Sequence, residues 1–257
     1  MSWQETASET FSARHDARDT PDAEQVLRGL EGTRIHLERL FDGRPGELSL
    51  VLHGTEAQLD AAAPMLPALR RMTAPAGRRY LVGWTGEREL HVLAPRVLAK
   101  RASNVEGSLE MLMLAPAALL AKRIVAASNP GLPPPWGPRG WARYLKWAWL
   151  LEGAGQFFSG QSRHARPAIA RRLREGGAPS FPPSRADASL LGGSVFDLVA
   201  REEGEQAAVE LARTPLEAGP NGALERAFHG RALRHTEGTW RAHQQRMADG
   251  RLRTPAL

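Results

Sequence analysis

The spacing of apolar positions in the first hundred residues predicts a mixed region of strands and helices. Residues 22–41 carry apolar side chains at roughly helical spacing, and Gly43 and Pro45 end the pattern. Residues 48–53 are a short apolar run of the kind that forms a buried strand, and Gly54 and Thr55 follow it. The same reasoning predicts a first strand at 9–15, a helix at 56–63, and a hairpin whose strands are 79–84 and 89–93.

From residue 108 onward the pattern predicts helices only. Two long ones are expected at 110–127 and 141–158, separated by a Pro-rich loop at 129–140. Shorter helices are expected at 167–175, 189–202, 205–213, 222–228 and 236–249. The chain is therefore predicted to be an α+β protein. A small mixed N-terminal lobe (residues 1–105) packs on an all-helical lobe (106–250), and 251–257 form a flexible tail.

Composition narrows the possible chemistry. The 257 residues include no cysteine, which excludes disulfides, thiolate metal sites and cysteine nucleophiles. No apolar run is long enough to cross a bilayer, and residues 1–20 do not have the pattern of a signal peptide, so we expect a cytoplasmic protein without membrane contact. The net charge of +6 comes from arginines spread along the chain, and this distribution disfavours nucleic acid as a partner.

Glu152 is the most informative residue. It lies within the apolar helix predicted at 141–158, and no other carboxylate is near it in sequence. A helix that is apolar on most sides is expected to be buried. A buried carboxylate is costly unless it is paired, hydrogen-bonded, metal-bound or protonated. The sequence therefore predicts a partner for Glu152.

The segment around Glu152 resembles a motif of the gluzincin zinc metallopeptidases. Its residues are Trp149-Leu-Leu-Glu152-Gly153-Ala-Gly-Gln-Phe157-Phe-Ser-Gly160. They are similar to the family pattern Trp-Leu-x-Glu-Gly-x-Ala-x-Tyr followed by Gly, with Gly155 where Ala is usual and Phe157 where Tyr is usual. The resemblance implies a thermolysin-like fold in which Glu152 takes the place of the third zinc ligand.

Other segments resemble the family in the same order along the chain: 89–95, 193–204, 223–228 and 240–243. The resemblance implies a cleft between the two lobes, with residues 89–93 as an edge strand that could hold an extended peptide by strand addition. It places the following residues at the cleft: Glu152, Trp149, Gly153, Phe157, His164, Lys122 and Arg123.

The zinc-binding motif of the family is missing. The best register of its His-Glu-x-x-His helix puts Ala115 and Leu119 at the ligand positions and Pro116 at the general base. No histidine lies between residues 92 and 163, and no two histidines are four residues apart. We therefore expect no cofactor, and Glu152 is the only ligand-type residue kept. Zinc held by Glu152 with histidines from elsewhere is the alternative, and His53, His91 and His164 are the candidates.

The lost metal suggests a replacement. Lys122 and Arg123 follow Leu119 by about one turn, so one of them could pair with Glu152. The alternative is that both face solvent at the end of their helix, where a positive charge is favourable.

The predicted function is that of a catalytically inactive metallopeptidase-like protein, which binds a peptide or protein segment between the lobes. Two alternatives remain open. One is a hydrolase with a rearranged site around Glu152 and His164. The other is an arginine-rich module for acidic partners, built on residues 163–174, although such a run is more commonly a solvated helix face. No Gly-x-Ser-x-Gly or phosphate-loop motif supports a different chemistry.

Overall fold

The computed structural model describes residues 3–43, 45–213 and 219–250. It is an α+β structure, as predicted: the strands of the described chain all precede residue 94, and the elements after that point are helical. The predicted tail at 251–257 lies outside the described residues.

A five-stranded mixed sheet forms the N-terminal region. Its strands are β1 (Trp3–Ala7), β2 (Phe11–Asp16), β3 (Leu48–His53), β4 (Gly83–Thr85) and β5 (Glu89–Leu93), in the order β1-β2-β3-β5-β4. Strands β2, β3 and β5 are parallel, while β1 and β4 run antiparallel at the two edges. Leu50, Leu52 and Val92 are buried, and they belong to the main hydrophobic core.

Among the described residues, five α-helices accompany the sheet in sequence. They are α1 (Thr20–Glu38), α2 (Glu56–Ala62), α3 (Leu66–Met72), α4 (Pro75–Arg78) and α5 (Pro95–Arg101). Thr55 caps α2, because its side chain accepts a hydrogen bond from the Gln58 N–H. Strand β1 and helices α3, α4 and α5 were not predicted. The strand predicted at 79–84 was wrong at residues 79–82: residues 79–80 form a turn after α4, and 81–82 have no regular secondary structure.

The helical region begins with α6 (Ser108–Met113), α7 (Ala115–Ala127) and α8 (Pro138–Phe158). Helices α6 and α7 replace the single helix predicted at 110–127. The break falls at Leu114, because Pro116 stands in the first turn of α7 and a proline does not continue a preceding helix. The remaining helices are α9 (Arg166–Arg174), α10 (Ala188–Glu202), α11 (Glu205–Ala212), α12 (Gly219–Ala227) and α13 (Leu233–Ala248).

The two regions share one hydrophobic core. Helix α7 packs against α1, β4 and β5 on one side and against α8 on the other. Buried apolar side chains from the sheet and from the later helices form one continuous cluster. The predicted lobe boundary near residue 105 therefore marks a change of secondary structure within one core. No helix of the described chain combines the length and hydropathy needed to cross a bilayer.

Candidate functional site

The candidate site lies where α7, α8 and β4 meet. Helix α8 approaches α7 closely at Gly155, where a Cβ atom would lie 2.9 Å from the Ala118 carbonyl oxygen and 2.7 Å from the Lys122 side chain. This close approach brings Lys122, near the middle of α7, against Glu152, one turn before Gly155 on α8.

Glu152 is buried, with 8% of its surface exposed, and it has the partner that the sequence predicts. The Lys122 ammonium donates to both carboxylate oxygens, with Nζ 3.3 Å from Oε1 and 3.2 Å from Oε2. The pairing of Lys122 with Glu152 is confirmed. Arg123 takes no part, since its Nε donates to the Glu87 carbonyl oxygen at 3.2 Å.

Tyr144 completes the contacts of the carboxylate. Its hydroxyl, two turns earlier on α8, donates to Glu152 Oε1 at 3.0 Å. Burial raises the pKa of Tyr144 well above its ordinary value, and the charge of Glu152 raises it further. The phenol therefore stays protonated and remains a donor. Glu152 is thus held by one cation and one hydroxyl.

The positions that would carry zinc ligands come together with Glu152. Ala115 and Leu119 line one small cavity together with Lys122, Glu152 and Gln156. Its volume is about 30 Å³, room for one or two water molecules. Pro116 is buried in the first turn of α7. Glu152 is the only carboxylate or imidazole lining this cavity, and the charge beside it is that of Lys122. The residues present therefore do not fit a zinc ion.

A second cavity, of about 20 Å³, lies between Glu152 and the edge of the sheet. Trp84 of β4 and Trp136 of the Pro-rich loop line it, and their ring centroids are 4.2 Å apart. Neither cavity is large enough for a peptide side chain with its backbone. A ligand at Glu152 would have to displace this loop.

The edge strand near Glu152 is β4, and the prediction that residues 89–93 form an edge strand was wrong. Strand β5 is hydrogen-bonded to β3 on one side and to β4 on the other, so it has no free edge. On the outer side of β4, the Trp136 indole N–H donates to the Thr85 carbonyl oxygen at 2.7 Å. The Pro-rich loop therefore already uses a backbone acceptor that strand addition would need.

Three predicted cleft residues belong to a different contact. Trp149, Gly153 and Phe157 are four residues apart on α8, so they share a face, and that face packs on α10. A Cβ atom at Gly153 would lie 2.6 Å from the Gly192 backbone, and the rings of Trp149 and Phe157 contact Phe196. Their placement at the cleft was wrong, because they lie on a different face of α8 from Glu152.

The candidate histidines do not gather around Glu152. His53 and His91 contact each other across neighbouring strands, with His53 Nε2 3.1 Å from His91 Nδ1. His164 lines a separate, larger hollow between α9 and the segments around Arg79 and Gly107. Within the ranges described, no three histidine or acidic side chains are close enough to hold a metal ion.

Comparison with protein-family models, with curated proteins and with solved structures yields no match to this chain. The geometry of the site therefore carries the functional argument.

Sequence reasoning did not assign Tyr144 and Trp136 to the site. Tyr144 had no usable signal, because α8 is kinked at Trp147, between Tyr144 and Glu152, so helical spacing does not place the two side chains on one face. Trp136 had none, since the path of a loop with three consecutive prolines cannot be read from periodicity.

Proposed function

We propose that this protein is a non-catalytic relative of the gluzincin metallopeptidases, with a thermolysin-like arrangement of lobes, and that it works by binding a segment of a partner protein between them. The observation that carries the proposal is the Lys122 ammonium 3.2 Å from the Glu152 carboxylate. A positive side chain stands where the family resemblance would put a divalent cation.

Two further observations support the proposal. Ala115 and Leu119, at the lost ligand positions, lie beside Glu152 in one cavity. An antiparallel edge strand, β4, borders the same region through Gly83 and Trp84. An inert residue at each ligand position leaves no side chain to bind or activate a water molecule there. We therefore propose that the surface between the lobes binds a partner without cleaving it.

The region around Glu152 is closed, so the partner segment needs another part of that surface. A hollow with a volume of about 680 Å³ is lined by Tyr80 from the N-terminal lobe and by His164 and α9 from the helical lobe. This volume is within the usual range of ligand sites. We place the partner segment there.

Metal analysis and a thermodynamic cycle test whether the Lys122–Glu152 pair stands in place of a metal. Removing one member of a buried ion pair leaves the other charge unpaired, which costs about 3–5 kcal/mol. We therefore expect Glu152→Gln and Lys122→Met each to lower the free energy of unfolding by about this amount. The double variant should be less destabilised than the sum of the two. Urea denaturation at pH 7 measures all four proteins.

The control for this cycle is Arg241→Met, which breaks an exposed pair with Glu237 and should cost less than about 1 kcal/mol. The protein purified without chelators should contain no stoichiometric zinc. One zinc ion per chain, lost on Glu152→Ala, would overturn the proposal.

A further inference from the structure

The interlobe hollow has a strongly basic wall. The arginines that line it are Arg79 from the N-terminal lobe and Arg163, Arg166, Arg171 and Arg174 from the helical lobe. Two glutamates, Glu106 and Glu110, line it as well. Five arginines against two glutamates leave an excess of positive charge, and a concave surface concentrates the resulting field.

Several of these guanidinium groups have donors to spare. In the described part of the chain, Arg163 and Arg174 have neither an ion pair nor a hydrogen bond from their side chains, and both are exposed. Arg171 has only a loose contact with Glu175, at 3.4 Å. Arg166 donates through Nε to the Ala248 carbonyl oxygen, also at 3.4 Å.

Arg172, on the same helix, shows the contrast. Its guanidinium makes a two-point contact with the buried Asp187, with Nε–Oδ1 at 2.5 Å and Nη2–Oδ2 at 3.1 Å. It also donates to the Gly176 carbonyl oxygen at 3.0 Å. The run of arginines at 163–174 is therefore divided: Arg172 holds the fold together, while the others face the hollow with unused donors.

The spacing of the arginines suits a chain segment better than a single small anion. A helix rises about 1.5 Å per residue, so Arg166 and Arg174 are about 12 Å apart along α9. An extended peptide covers this distance in about four residues. The arginine fork matches the carboxylate in shape and binds it through two hydrogen bonds. Acidic side chains along an extended segment could therefore each find a guanidinium.

The hollow also offers an apolar contact. Val105 lines it and is 54% exposed. An exposed apolar side chain beside a basic wall is common in protein-binding surfaces.

We propose that the hollow binds an extended acidic segment of a partner protein, with its carboxylates on Arg163, Arg171 and Arg174 and an apolar side chain on Val105. The inference rests on the proposed function, because it specifies the segment that the interlobe surface takes. It is independent of the Lys122–Glu152 pair, so the two can fail separately.

Fluorescence anisotropy with three labelled nine-residue peptides tests the inference. They repeat Glu-Glu-Leu, Gln-Gln-Leu and Lys-Lys-Leu, so that only charge differs. We expect the full chain to bind the acidic peptide and to bind it more weakly as salt rises. Loss of two charge-assisted contacts in Arg163→Gln/Arg174→Gln should weaken it by about tenfold or more.

The matched control is Arg226→Gln/Arg234→Gln, which removes the same charge at two exposed arginines outside the hollow. It should change the affinity by less than about threefold if the effect is local. The charge reversal Arg163→Glu/Arg174→Glu should bind the Lys-Lys-Leu peptide in preference to the acidic one. Thermal denaturation of each variant checks that it is folded.

Four results would overturn the inference. In the first, the acidic peptide binds Arg163→Gln/Arg174→Gln and Arg226→Gln/Arg234→Gln with equal affinity, which would mean attraction to net charge alone. The Gln-Gln-Leu peptide could bind as tightly as the acidic one, which would keep a peptide site and remove its charge preference. Tripolyphosphate could bind more tightly than the acidic peptide, with loss in Arg163→Gln/Arg174→Gln, which would make this a phosphate site. In the fourth result, none of the three peptides binds the parent chain. In each case the metal analysis and the Lys122–Glu152 cycle still decide whether an ion pair stands in place of a metal at Glu152.

Discussion

At the scale of single residues, charge is neutralised by the nearest available group. Glu152 has a cation and a hydroxyl, Asp187 has Arg172, and Asp19 has Arg96. Each of these carboxylates is buried, and each partner comes from a segment distant in sequence or from another turn of the helix. This arrangement follows from the cost of burying an unpaired charge, which exceeds most single packing energies.

The histidine pair gives a prediction for acid stability. Burial lowers the pKa of His53 from 6.5 to about 4, and repulsion from His91 and Arg14 adds to this; burial also lowers the pKa of His91. In the pH window between about 4 and 6.5, the unfolded chain binds more protons than the folded one, so stability falls as pH falls. The pKa shift of His53 corresponds to about 3 kcal/mol of unfolding free energy across this window. Glu89, whose Oε2 lies 3.3 Å from His91 Nε2, is the acidic group facing the pair.

We expect the free energy of unfolding to fall less between pH 7 and pH 4.5 in His53→Gln than in the parent chain. The reason is that the variant lacks the buried imidazole that takes up a proton only on unfolding. Urea denaturation at half-unit pH steps measures the slope. His235→Gln, at an exposed position on α13, should leave the slope of the parent chain unchanged. Equal slopes in the parent chain and in His53→Gln would contradict the prediction.

At the scale of elements, the sequence predicted what depends on periodicity. Strand β3 was predicted at its observed bounds, and α1, α8 and α10 within a few residues of theirs, because each has a long or strongly apolar pattern. Strand β1 was missed because it is an exposed edge strand with no apolar alternation, and α3, α4 and α5 because they are short and begin near prolines. For the site, the family resemblance suggested Lys122 or Arg123 as a partner of Glu152 and left a solvent-facing position open, and the structure shows Lys122 in this role. The edge position of β4 was not, since strand order in a sheet depends on long-range pairing.

Helix α8 is fixed by close backbone contact on two sides. It meets α10 at Gly153 and Gly192, where added Cβ atoms would lie 2.6 Å from the opposing backbone. Backbone atoms cannot move aside as a flexible side chain can, so the two helices would have to separate. The glycine after Glu152 therefore sets the distance between helices, and this distance keeps the Glu152 face of α8 against α7.

We expect Gly153→Ala and Gly192→Ala each to destabilise the protein by about 1–3 kcal/mol through overpacking. The gain in helix propensity of about 0.5–1 kcal/mol only partly offsets this loss. Gly29→Ala, in α1 with no atom within 4 Å of an added Cβ, should instead be stabilising by that smaller amount. Thermal denaturation compares the three variants. The thermal midpoint should fall in Gly153→Ala and Gly192→Ala and rise in Gly29→Ala. A higher midpoint in Gly153→Ala would contradict the close contact between α8 and α10.

At the scale of the whole molecule, one core supports two kinds of interlobe surface. Around Glu152, the core side chains and Trp136 fill the space almost completely, leaving cavities of about 20 and 30 Å³. Between α9 and the segments around Arg79 and Gly107, the surface stays open and basic. In our proposal, the closed region is a lost metal site and the open region, with its basic lining, is the binding site. The proposal therefore assigns the loss of catalysis and the binding of a partner to two separate regions.

The proposed relationship to the gluzincins can be tested separately, by introducing zinc ligands beside Glu152. Ala115 and Leu119 line one cavity with Glu152, and Lys122 supplies the charge that a metal would replace. The triple variant Ala115→His/Leu119→His/Lys122→Ala therefore presents two imidazoles one turn apart together with a carboxylate, which is a zinc-binding set. We expect it to bind one zinc ion per chain, measured by mass spectrometry after dialysis.

The control adds Glu152→Gln to the triple variant and should lose the zinc. Binding should also raise the thermal midpoint of the triple variant in the presence of zinc, because a ligand of the folded state stabilises it. A triple variant that keeps its helical circular dichroism but takes up no zinc would show that Ala115 and Leu119 do not face Glu152 as metal ligands must. The register on which the relationship to the gluzincins depends would then be wrong, while the arginine-lined hollow would be unaffected.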